Sequence, residues 1–219
     1  MRALRLDSRA ASARERAQGL TSPSAEHARE YLELEHEASS PYTRFVYAGP
    51  DEARATHRYL YAERACEFGP PFAQVLLDPE GVVAAAALLA EAELTRSRFQ
   101  AALSLGRVGL FRDDVALQRR MAAASGTLLR PEPADLYVSR FAVAERARGR
   151  GVGRRLLSQC EAVARRRGCR RLVLEVSTEH EAALSLYLRA GFDEIGRRRA
   201  EDAATGRELV YLHLAKRLE

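Results

Sequence analysis

The sequence contains few cysteines and no long apolar segment. Its three cysteines, Cys66, Cys160 and Cys169, are an odd number without metal-ligand spacing, so we expect reduced thiols, no metal site and a cytoplasmic location. The longest apolar run, Val82–Ala90, is far shorter than the ~18 residues that a membrane-spanning helix needs. The first residues include no apolar stretch of the kind found in signal peptides. Membrane and secreted proteins are both disfavoured.

Lysine is almost absent as well, and arginine supplies the positive charge. The chain has 35 basic and 30 acidic side chains, a net charge of +5 and a pI near 9.4, with Lys216 as its single lysine. A modest positive field favours acidic ligands. The arginine runs at 165–167, 170–171 and 197–199 lack the interleaved aromatic residues of a nucleic-acid interface. We therefore interpret them as solvated surfaces, and nucleic-acid binding is disfavoured.

The length and composition predict a single globular domain over residues 1–219. The chain is 47% hydrophobic and 30% charged, which is ordinary for a soluble domain of this size. Within it, residues 1–40 are polar and predict an N-terminal extension. Residues 91–134 carry an amphipathic helical pattern and predict a helical insertion.

The first half of the chain predicts helices around a β-hairpin. Two apolar runs, Phe72–Leu77 and Val82–Ala90, flank the turn sequence of residues 78–81. The alanine-rich second run also suits a helix. The remaining elements expected here are a helix over Ser24–Glu37, a strand over Thr43–Tyr47, a helix over Asp51–Glu67 capped by Asp51, and two helical pieces between Glu91 and Pro133 that break near Gly106 and Gly109.

The second half alternates strands and helices, which is typical of an α/β layer structure. The helix over 151–167 is the clearest, because Leu156, Leu157, Cys160, Val163 and Ala164 form one apolar stripe. The other expected elements are strand Leu136–Val143, strand Leu172–Val176, helix Glu181–Ala190, strand Phe192–Arg197 and strand Glu208–Leu214.

A glycine-rich string, Arg148-Gly149-Arg150-Gly151-Val152-Gly153, joins a predicted strand to a predicted helix. Glycine permits backbone conformations closed to other residues and removes Cβ atoms that would keep a ligand away. Several N–H groups can therefore converge at the start of the helix, where the helix dipole adds about half a positive charge. Such a position suits a phosphate or diphosphate, and the arginines at 148, 150 and 154 add charge beside it.

Other interpretations of the glycine-rich string stay open at this point. A dinucleotide fingerprint expects glycine where Arg154 stands, and a Walker-type loop needs a Gly-Lys-Ser/Thr sequence that is missing. A disordered Arg-Gly segment that binds nucleic acid would not be flanked by a regular strand and helix. The remaining alternative is a structural turn followed by a solvated helix start.

Segments before and after the glycine-rich string form a recognisable pattern with it. The combined segments, in chain order, are Leu136–Val143, Arg148–Gly153, Leu172–Val176, His180, Tyr187 and Gly191-Phe192. In this order and spacing they resemble the GNAT superfamily of N-acetyltransferases, over roughly residues 135–192. The string fits the superfamily pattern Gln/Arg-x-x-Gly-x-Gly/Ala through Arg148, Gly151 and Gly153.

The resemblance implies an α/β fold with a mixed, splayed central sheet of about seven strands, flanked by helices. It implies that residues 135–199 form an acetyl-CoA-binding core, preceded by the helical insertion. Acetyl-CoA would be the co-substrate, with its pantetheine lying between two strands like an added strand. The implied cofactor-binding residues are Phe141, Ala142, Val143, Arg148, Gly149, Arg150, Gly151, Val152, Gly153, Arg154 and His180. If the arginine runs are not simply solvated surfaces, they would be contacts for the 3′-phosphate of CoA.

The resemblance also implies roles for the Phe141–Val143 backbone and for two side chains, Tyr187 and His180. The amides from Phe141 to Val143 would polarise the thioester carbonyl, as an oxyanion hole does. Tyr187 matches the tyrosine that acts as general acid toward the departing thiolate; alternatively, its ring only packs beneath the helix. His180 stands where the superfamily usually has asparagine, and it either contacts the cofactor or only caps the helix.

The general base is not assigned by the resemblance. Glu91, Glu132 and Asp135 are geometric possibilities that would act through water, because each is expected at the end of a strand. Glu175 is interpreted as a structural residue, since the superfamily often has a carboxylate there.

The function implied is transfer of an acetyl group from acetyl-CoA to a primary amine by direct attack in a ternary complex. A covalent acetyl-enzyme is disfavoured because the strand over 136–143 has no cysteine. The helical insertion would serve as a lid or as the contact of a homodimer. The alternatives from other classes are a CoA-binding sensor or regulatory module without activity, and a nucleic-acid-binding protein.

Overall fold

The computed structural model describes residues 19–64, 66–107 and 114–219. The predicted extension over 1–40 and the predicted break at Gly109 fall partly outside these ranges. The described helices are α1 (Ala28–Ala38), α2 (Ser40–Val46), α3 (Pro50–Ala62), α4 (Glu91–Arg107), α5 (Val115–Ser125), α6 (Val152–Arg166) and α7 (Glu181–Arg189). The described strands are β1 (Ala73–Asp78), β2 (Gly81–Ala90), β3 (Asp135–Val143), β4 (Arg171–Ser177), β5 (Asp193–Asp202) and β6 (Arg207–Arg217). Single turns of 3-10 helix at Ala25–His27 and Glu145–Ala147 precede α1 and α6.

One mixed sheet organises the fold. The six strands described have the order β1-β2-β3-β4-β6-β5, and only the β3–β4 pair is parallel. The predicted α/β architecture is therefore confirmed, with one strand fewer in the described residues than the resemblance implied. The alanine-rich run forms β2 rather than a helix, because it lies between β1 and β3 with its eight central residues buried.

The two central strands diverge. Asp135–Tyr137 of β3 pairs with Arg171–Val173 of β4, and the parallel ladder ends there, although both strands continue. β4 instead pairs with β6 along its whole length. The result is a V-shaped opening in the middle of the sheet, which we call the fork. The splayed sheet that the resemblance implied is thus present.

Helix α6 covers the sheet near the fork with the predicted apolar stripe. Leu156, Leu157, Cys160 and Ala164 are buried in the main core, and Val163 packs against it. Burial raises the pKa of the Cys160 thiol to about 12, so this cysteine is an apolar core residue at neutral pH. The three cysteines are free thiols, as expected.

Two local predictions are wrong. The expected strand over Thr43–Tyr47 is helix α2, whose residues Pro41, Thr43, Phe45 and Val46 are buried. The β-branched and aromatic residues that favoured a strand there pack instead against α5 and β6, so tertiary contacts outweigh the local propensity. The expected helix over Asp51–Glu67 spans only Pro50–Ala62 and is capped by Gly49 instead of Asp51.

The helical pair after β2 is confirmed as α4 and α5, and α4 begins at Glu91 directly after the strand ends. Among the described residues, no helix combines the length and the apolar composition needed to cross a membrane. The elements that matter for the site are therefore β3, β4, α6 and α7 around the fork, with α1–α5 and β6 bordering it.

Candidate functional site

A β-bulge shapes the wall of the fork formed by β3. The register of β3 against β2 shifts by one residue between Ser139 and Ala142, so Arg140 and Phe141 both lie opposite Ala86. Arg140 has φ 56°, a left-handed conformation that costs roughly 1–2 kcal/mol for a residue with a Cβ atom. The bulge is therefore a specific, strained feature at the point where the fork opens.

The bulge determines which backbone groups point into the fork. In an antiparallel pair, successive residues of a strand direct their N–H groups to opposite edges. The Ala144 N–H donates to the Val83 carbonyl next to β2, at 2.9 Å, so the Ala142 N–H also points toward β2. By the same alternation, the N–H groups of Phe141 and Val143 point into the fork. Two of the three amides named from sequence thus converge on this opening.

The glycine-rich string forms the start of α6 at the mouth of the fork. Gly149 and Gly151 have φ of 73° and 78°, and Gly151 occupies the N-cap of α6 without a side-chain cap. Among the described residues, a Cβ added at either glycine would meet no atom within 4 Å, so the space over the loop is open. The uncapped N–H groups of the first turn are accessible to an anion.

The third glycine of the string allows close packing. A Cβ at Gly153 would lie 3.1 Å from Cδ2 of Leu186 on α7 and 3.5 Å from Cγ2 of Val143 on β3. The first turn of α6 is therefore wedged between the end of β3 and α7, which holds the helix N-terminus beside the fork. These backbone features fit a diphosphate group.

The arginines of the string differ in their surroundings. The Nε of Arg148 donates to the Val143 carbonyl at 3.1 Å, and its Nη2 forms an ion pair with Glu37 of α1. Arg150 and Arg154 are exposed at the start of α6. The structure therefore holds Arg148 across the end of β3 and leaves the other two side chains toward solvent.

A cavity of about 420 Å³ opens from the fork, and Tyr187 of α7 lines it. The Tyr187 ring makes an edge contact with Phe141, with ring centroids 5.5 Å apart, and a tilted contact with Phe192 at 5.7 Å. Burial raises the pKa of Tyr187 well above its usual range, so the hydroxyl is neutral at pH 7 and can donate a hydrogen bond. Tyr187 therefore both packs against two aromatic rings and borders the cavity, so a packing role and a role in the reaction are compatible.

His180 also lines the cavity, at the N-cap position of α7. Its side chain makes no capping hydrogen bond to the helix, so the capping interpretation has no support from the described contacts. Partial burial lowers the pKa of His180, which favours the neutral imidazole at pH 7.

Glu175 of β4 is an acidic residue inside the cavity wall. Its Oε1 accepts a hydrogen bond from the Tyr137 hydroxyl, and its Oε2 accepts one from the Leu129 N–H at 3.2 Å. Burial raises the pKa of Glu175 to about 7, although Arg98 and Tyr137 act in the opposite direction. A carboxyl group with this pKa can accept a proton near neutral pH, a property that the structural interpretation did not foresee.

The three general-base candidates named from the sequence, Glu91, Glu132 and Asp135, lie outside the cavity. Arg171 forms ion pairs with Asp135 at 2.7 Å and with Glu132 at 2.8 Å, at the closed end of the β3–β4 ladder. Glu91 is the first residue of α4, directly after the end of β2. None of the three is among the described residues that line the cavity.

Comparison with known proteins agrees with this geometry. A sequence model described as the acetyltransferase (GNAT) family matches residues 34–192, which is most of the chain. The chain belongs to the GNAT acetyltransferase family. The GNAT match includes the bulge, the fork, the glycine-rich string, Glu175 and Tyr187, and it begins within α1, well before the stretch that carried the resemblance in the sequence.

Individual relatives of this GNAT protein match over shorter stretches. An uncharacterised protein of Mycobacterium leprae is 42% identical over 74 residues, which cover 34% of this chain and 20% of the relative. N-alpha-acetyltransferase 30 of Schizosaccharomyces pombe is 36% identical over 56 residues, 26% of this chain and 37% of the relative. The chain thus matches well under half the length of either relative.

Solved structures extend the likeness to the whole fold. A crystal structure of an acetyltransferase has a TM-score of 0.60 at 18% identity, covering 92% of this chain and all of that one. A Salmonella typhimurium structure with its cofactor acetyl-CoA has a TM-score of 0.50 at 14% identity, covering 91% of this chain and 93% of that one. At these identities the likeness concerns the GNAT fold alone.

The GNAT site of this chain also contains a buried charge cluster that the sequence did not predict. Its members are Glu35 (α1), His57 (α3), Glu67 (after α3), Arg98 (α4) and Arg140 (β3). Four of the five, all except Glu35, line the cavity. The only signal in the sequence was Arg140, a charged residue within the mostly apolar strand pattern of 136–143. The other four members lie in separate segments, and nothing in the sequence indicated that these segments meet. Among the described residues, no group of His, Cys, Asp and Glu side chains has a metal-binding arrangement.

Proposed function

We propose that this GNAT protein transfers an acetyl group from acetyl-CoA to a primary amine by direct attack while both substrates are bound. The observation that carries the proposal is the fork itself, where two backbone amides, a buried acid with a pKa near neutrality and a neutral tyrosine border one cavity. Acetyl-CoA use is supported by family membership and by the fold likeness to a structure that contains acetyl-CoA.

The residues of the glycine-rich string would hold the cofactor. The first-turn N–H groups of α6 at Val152, Gly153 and Arg154 would bind the diphosphate, with Arg148 and Arg150 adding positive charge. Each charge-assisted hydrogen bond of this kind contributes about 1.5–3 kcal/mol. The pantetheine would enter the fork and pair with the backbone at Phe141 and Val143, in place of the missing part of the β3–β4 ladder. His180 would contact it from the start of α7.

Acetyl-CoA supplies a thioester whose carbonyl oxygen gains negative charge as the amine attacks. The amides of Phe141 and Val143 would stabilise that charge because the strand holds them in place before the reaction starts. Glu175 would accept the proton of the attacking amine, directly or through water. Tyr187 would donate a proton to the departing thiolate, whose conjugate acid has a pKa near 8.5.

Two measurements test the proposal. Addition of acetyl-CoA or CoA is expected to raise the thermal unfolding midpoint, because a ligand that binds only the folded state stabilises it. Thiol release is then measured over a panel of small amines, amino acids, aminated antibiotics and peptides with free N-termini. Stabilisation without thiol release from any acceptor would favour the inactive CoA-binding module. Absence of stabilisation by either ligand would refute the proposal.

A further inference from the structure

The bulge in β3 reverses the alternation of backbone groups along that strand. Before the bulge, the Leu88 N–H donates to the Phe72 carbonyl on the β1 side. The N–H of its neighbour Ala87 therefore points toward β3, where Ala87 pairs with Ser139. After the bulge it is Ala142 that pairs with β2. Without the extra residue, Phe141 would take that place, and its N–H would be used by β2. The two amides in the fork therefore depend on the bulge.

The bulge contains a residue, Arg140, whose backbone conformation is unfavourable for a residue with a side chain. Arg140 adopts φ 56°, where glycine would be free of strain. Such a conformation persists in a residue with a side chain only when the surrounding structure holds it. The contacts of the Arg140 side chain are therefore expected to supply the restraint.

Those contacts come from three directions. The Arg140 Nε lies 3.4 Å from Oε1 of Glu35, and its Nη2 lies 3.7 Å from Oε1 of Glu67. The guanidinium carbon lies 5.1 Å from the centre of the Phe68 ring, a cation–π arrangement. The Arg140 side chain is only 15% exposed, and the Glu35 side chain is fully buried. Water screens these interactions little.

The two carboxylates are themselves held in place. His57 of α3 binds Glu35 at 2.7 Å, and Glu67 accepts hydrogen bonds from Arg98 at 3.0 Å and from Ser139 at 3.1 Å. Burial alone would raise the pKa of both carboxyl groups, but the neighbouring cations lower it, so both are ionised at neutral pH. The cluster thus gives Arg140 two fixed, charged partners.

We infer that Arg140 is a positioning residue, and that its ion pairs with Glu35 and Glu67 hold the β3 bulge in the conformation that directs the Phe141 and Val143 amides into the fork. Arg140 acts through the backbone rather than by touching the thioester. Helix α1 and the segment after α3 thereby contribute to the alignment of the amides from outside the cofactor-binding core. The inference rests on the proposed function.

Glu35→Gln is the cleanest variant for a test, because Glu35 belongs to the cluster without lining the cavity, so it cannot contact a substrate there. Asp135→Asn is its matched control. Asp135 is another buried carboxylate on a salt bridge with arginine, at the opposite end of β3. Both variants remove one buried carboxylate charge, and only Glu35 pairs with a residue of the bulge. Arg140→Gly and Arg140→Lys complete the set. Glycine tolerates the left-handed conformation but makes no contact with Glu35 or Glu67, so it leaves the bulge free to move, whereas lysine keeps the charge.

Three quantities are measured well below each variant's unfolding midpoint: kcat from thiol release, the Kd for CoA, and the infrared carbonyl band of bound acetyl-CoA carrying ¹³C at the carbonyl. We expect Glu35→Gln and Arg140→Gly to lower kcat at least tenfold and to move the carbonyl band toward its frequency in free acetyl-CoA. The Kd for CoA is expected to stay within twofold. Arg140→Lys should recover part of kcat, and Asp135→Asn should change neither kcat nor the band.

The outcomes distinguish a failure of the positioning role from a failure of the proposed function. If wild type is active and Glu35→Gln and Arg140→Gly have the same kcat and the same carbonyl band as wild type, the positioning role is overturned. The proposed function would still stand. Equal losses in Glu35→Gln and Asp135→Asn would also overturn it, because they would reveal a general effect on the fold. Wild-type protein with no thiol release and no shifted band would refute the proposed function first.

Discussion

Replacement of Glu175 by glutamine removes the one group that the proposed chemistry uses to accept a proton. Glutamine keeps an oxygen for the Tyr137 hydroxyl, but its NH₂ group replaces the oxygen that accepts the Leu129 N–H. The loss of that hydrogen bond costs about 1 kcal/mol. Loss of a general base typically lowers the rate about 10²–10⁴-fold, so kcat/KM at pH 7.5 is expected to fall at least 100-fold.

The same substitution has a defined effect on stability. The pKa of Glu175 changes from an ordinary 4.5 to about 7 on folding. Between these values the folded protein binds a proton that the unfolded chain does not, so the free energy of unfolding falls as pH rises from 4.5 to 7. Each pKa unit corresponds to about 1.4 kcal/mol, so the total is about 3 kcal/mol. This figure is an upper limit because the cavity admits water.

The assay compares urea unfolding of wild type and Glu175→Gln from pH 4.5 to 8. The difference between the two free energies isolates Glu175 from the other titrating groups, and it should move in favour of the variant by up to about 3 kcal/mol across this range. In wild type, kcat/KM should rise with pH through about 7, and this inflection should be absent from the variant. Glu132→Gln, a substitution outside the cavity, serves as the control for activity. A pH-independent difference in stability, or full activity of the variant, would refute the reasoning.

Three further outcomes are expected. Tyr187→Phe keeps the ring contacts with Phe141 and Phe192, so kcat should fall at least tenfold in the thiol-release assay while the thermal midpoint stays within a few degrees; a large drop in the midpoint would indicate a packing role. Gly151→Ala should weaken acetyl-CoA binding about tenfold, measured by calorimetry, and should lower the free energy of unfolding by roughly 1–2 kcal/mol. Gly168 has the same left-handed conformation at the other end of α6, so Gly168→Ala should lower the free energy of unfolding equally without changing the Kd. Glu37→Gln frees Arg148 and should tighten acetyl-CoA binding by about two- to fivefold at low salt, and by less at high salt. An unchanged Kd at low salt would contradict a competing role for this ion pair.

Much of the central architecture was predictable because it depends on short-range patterns. The apolar stripe of α6, the hairpin of β1 and β2, and the alternation of strand and helix after residue 135 are all properties of contiguous residues. The glycine-rich string could be located for the same reason, since left-handed positions such as Gly149 and Gly151 favour glycine. Helix α2 shows the limit of this approach. Its residues favour a strand locally, and packing against α5 and β6 decided otherwise.

The sequence by itself determined the family, the location of the glycine-rich string and the tyrosine beside the fork, because each depends on residue types at fixed short spacings. Only the tertiary structure decided which amides of β3 face the fork, since that depends on one extra residue in its register with β2. It also decided the chemistry of Glu175, whose pKa is set by burial in a cavity built from many segments. The partners of Arg140 come from residues 105 and 73 positions earlier in the chain, a separation across which no local pattern carries information.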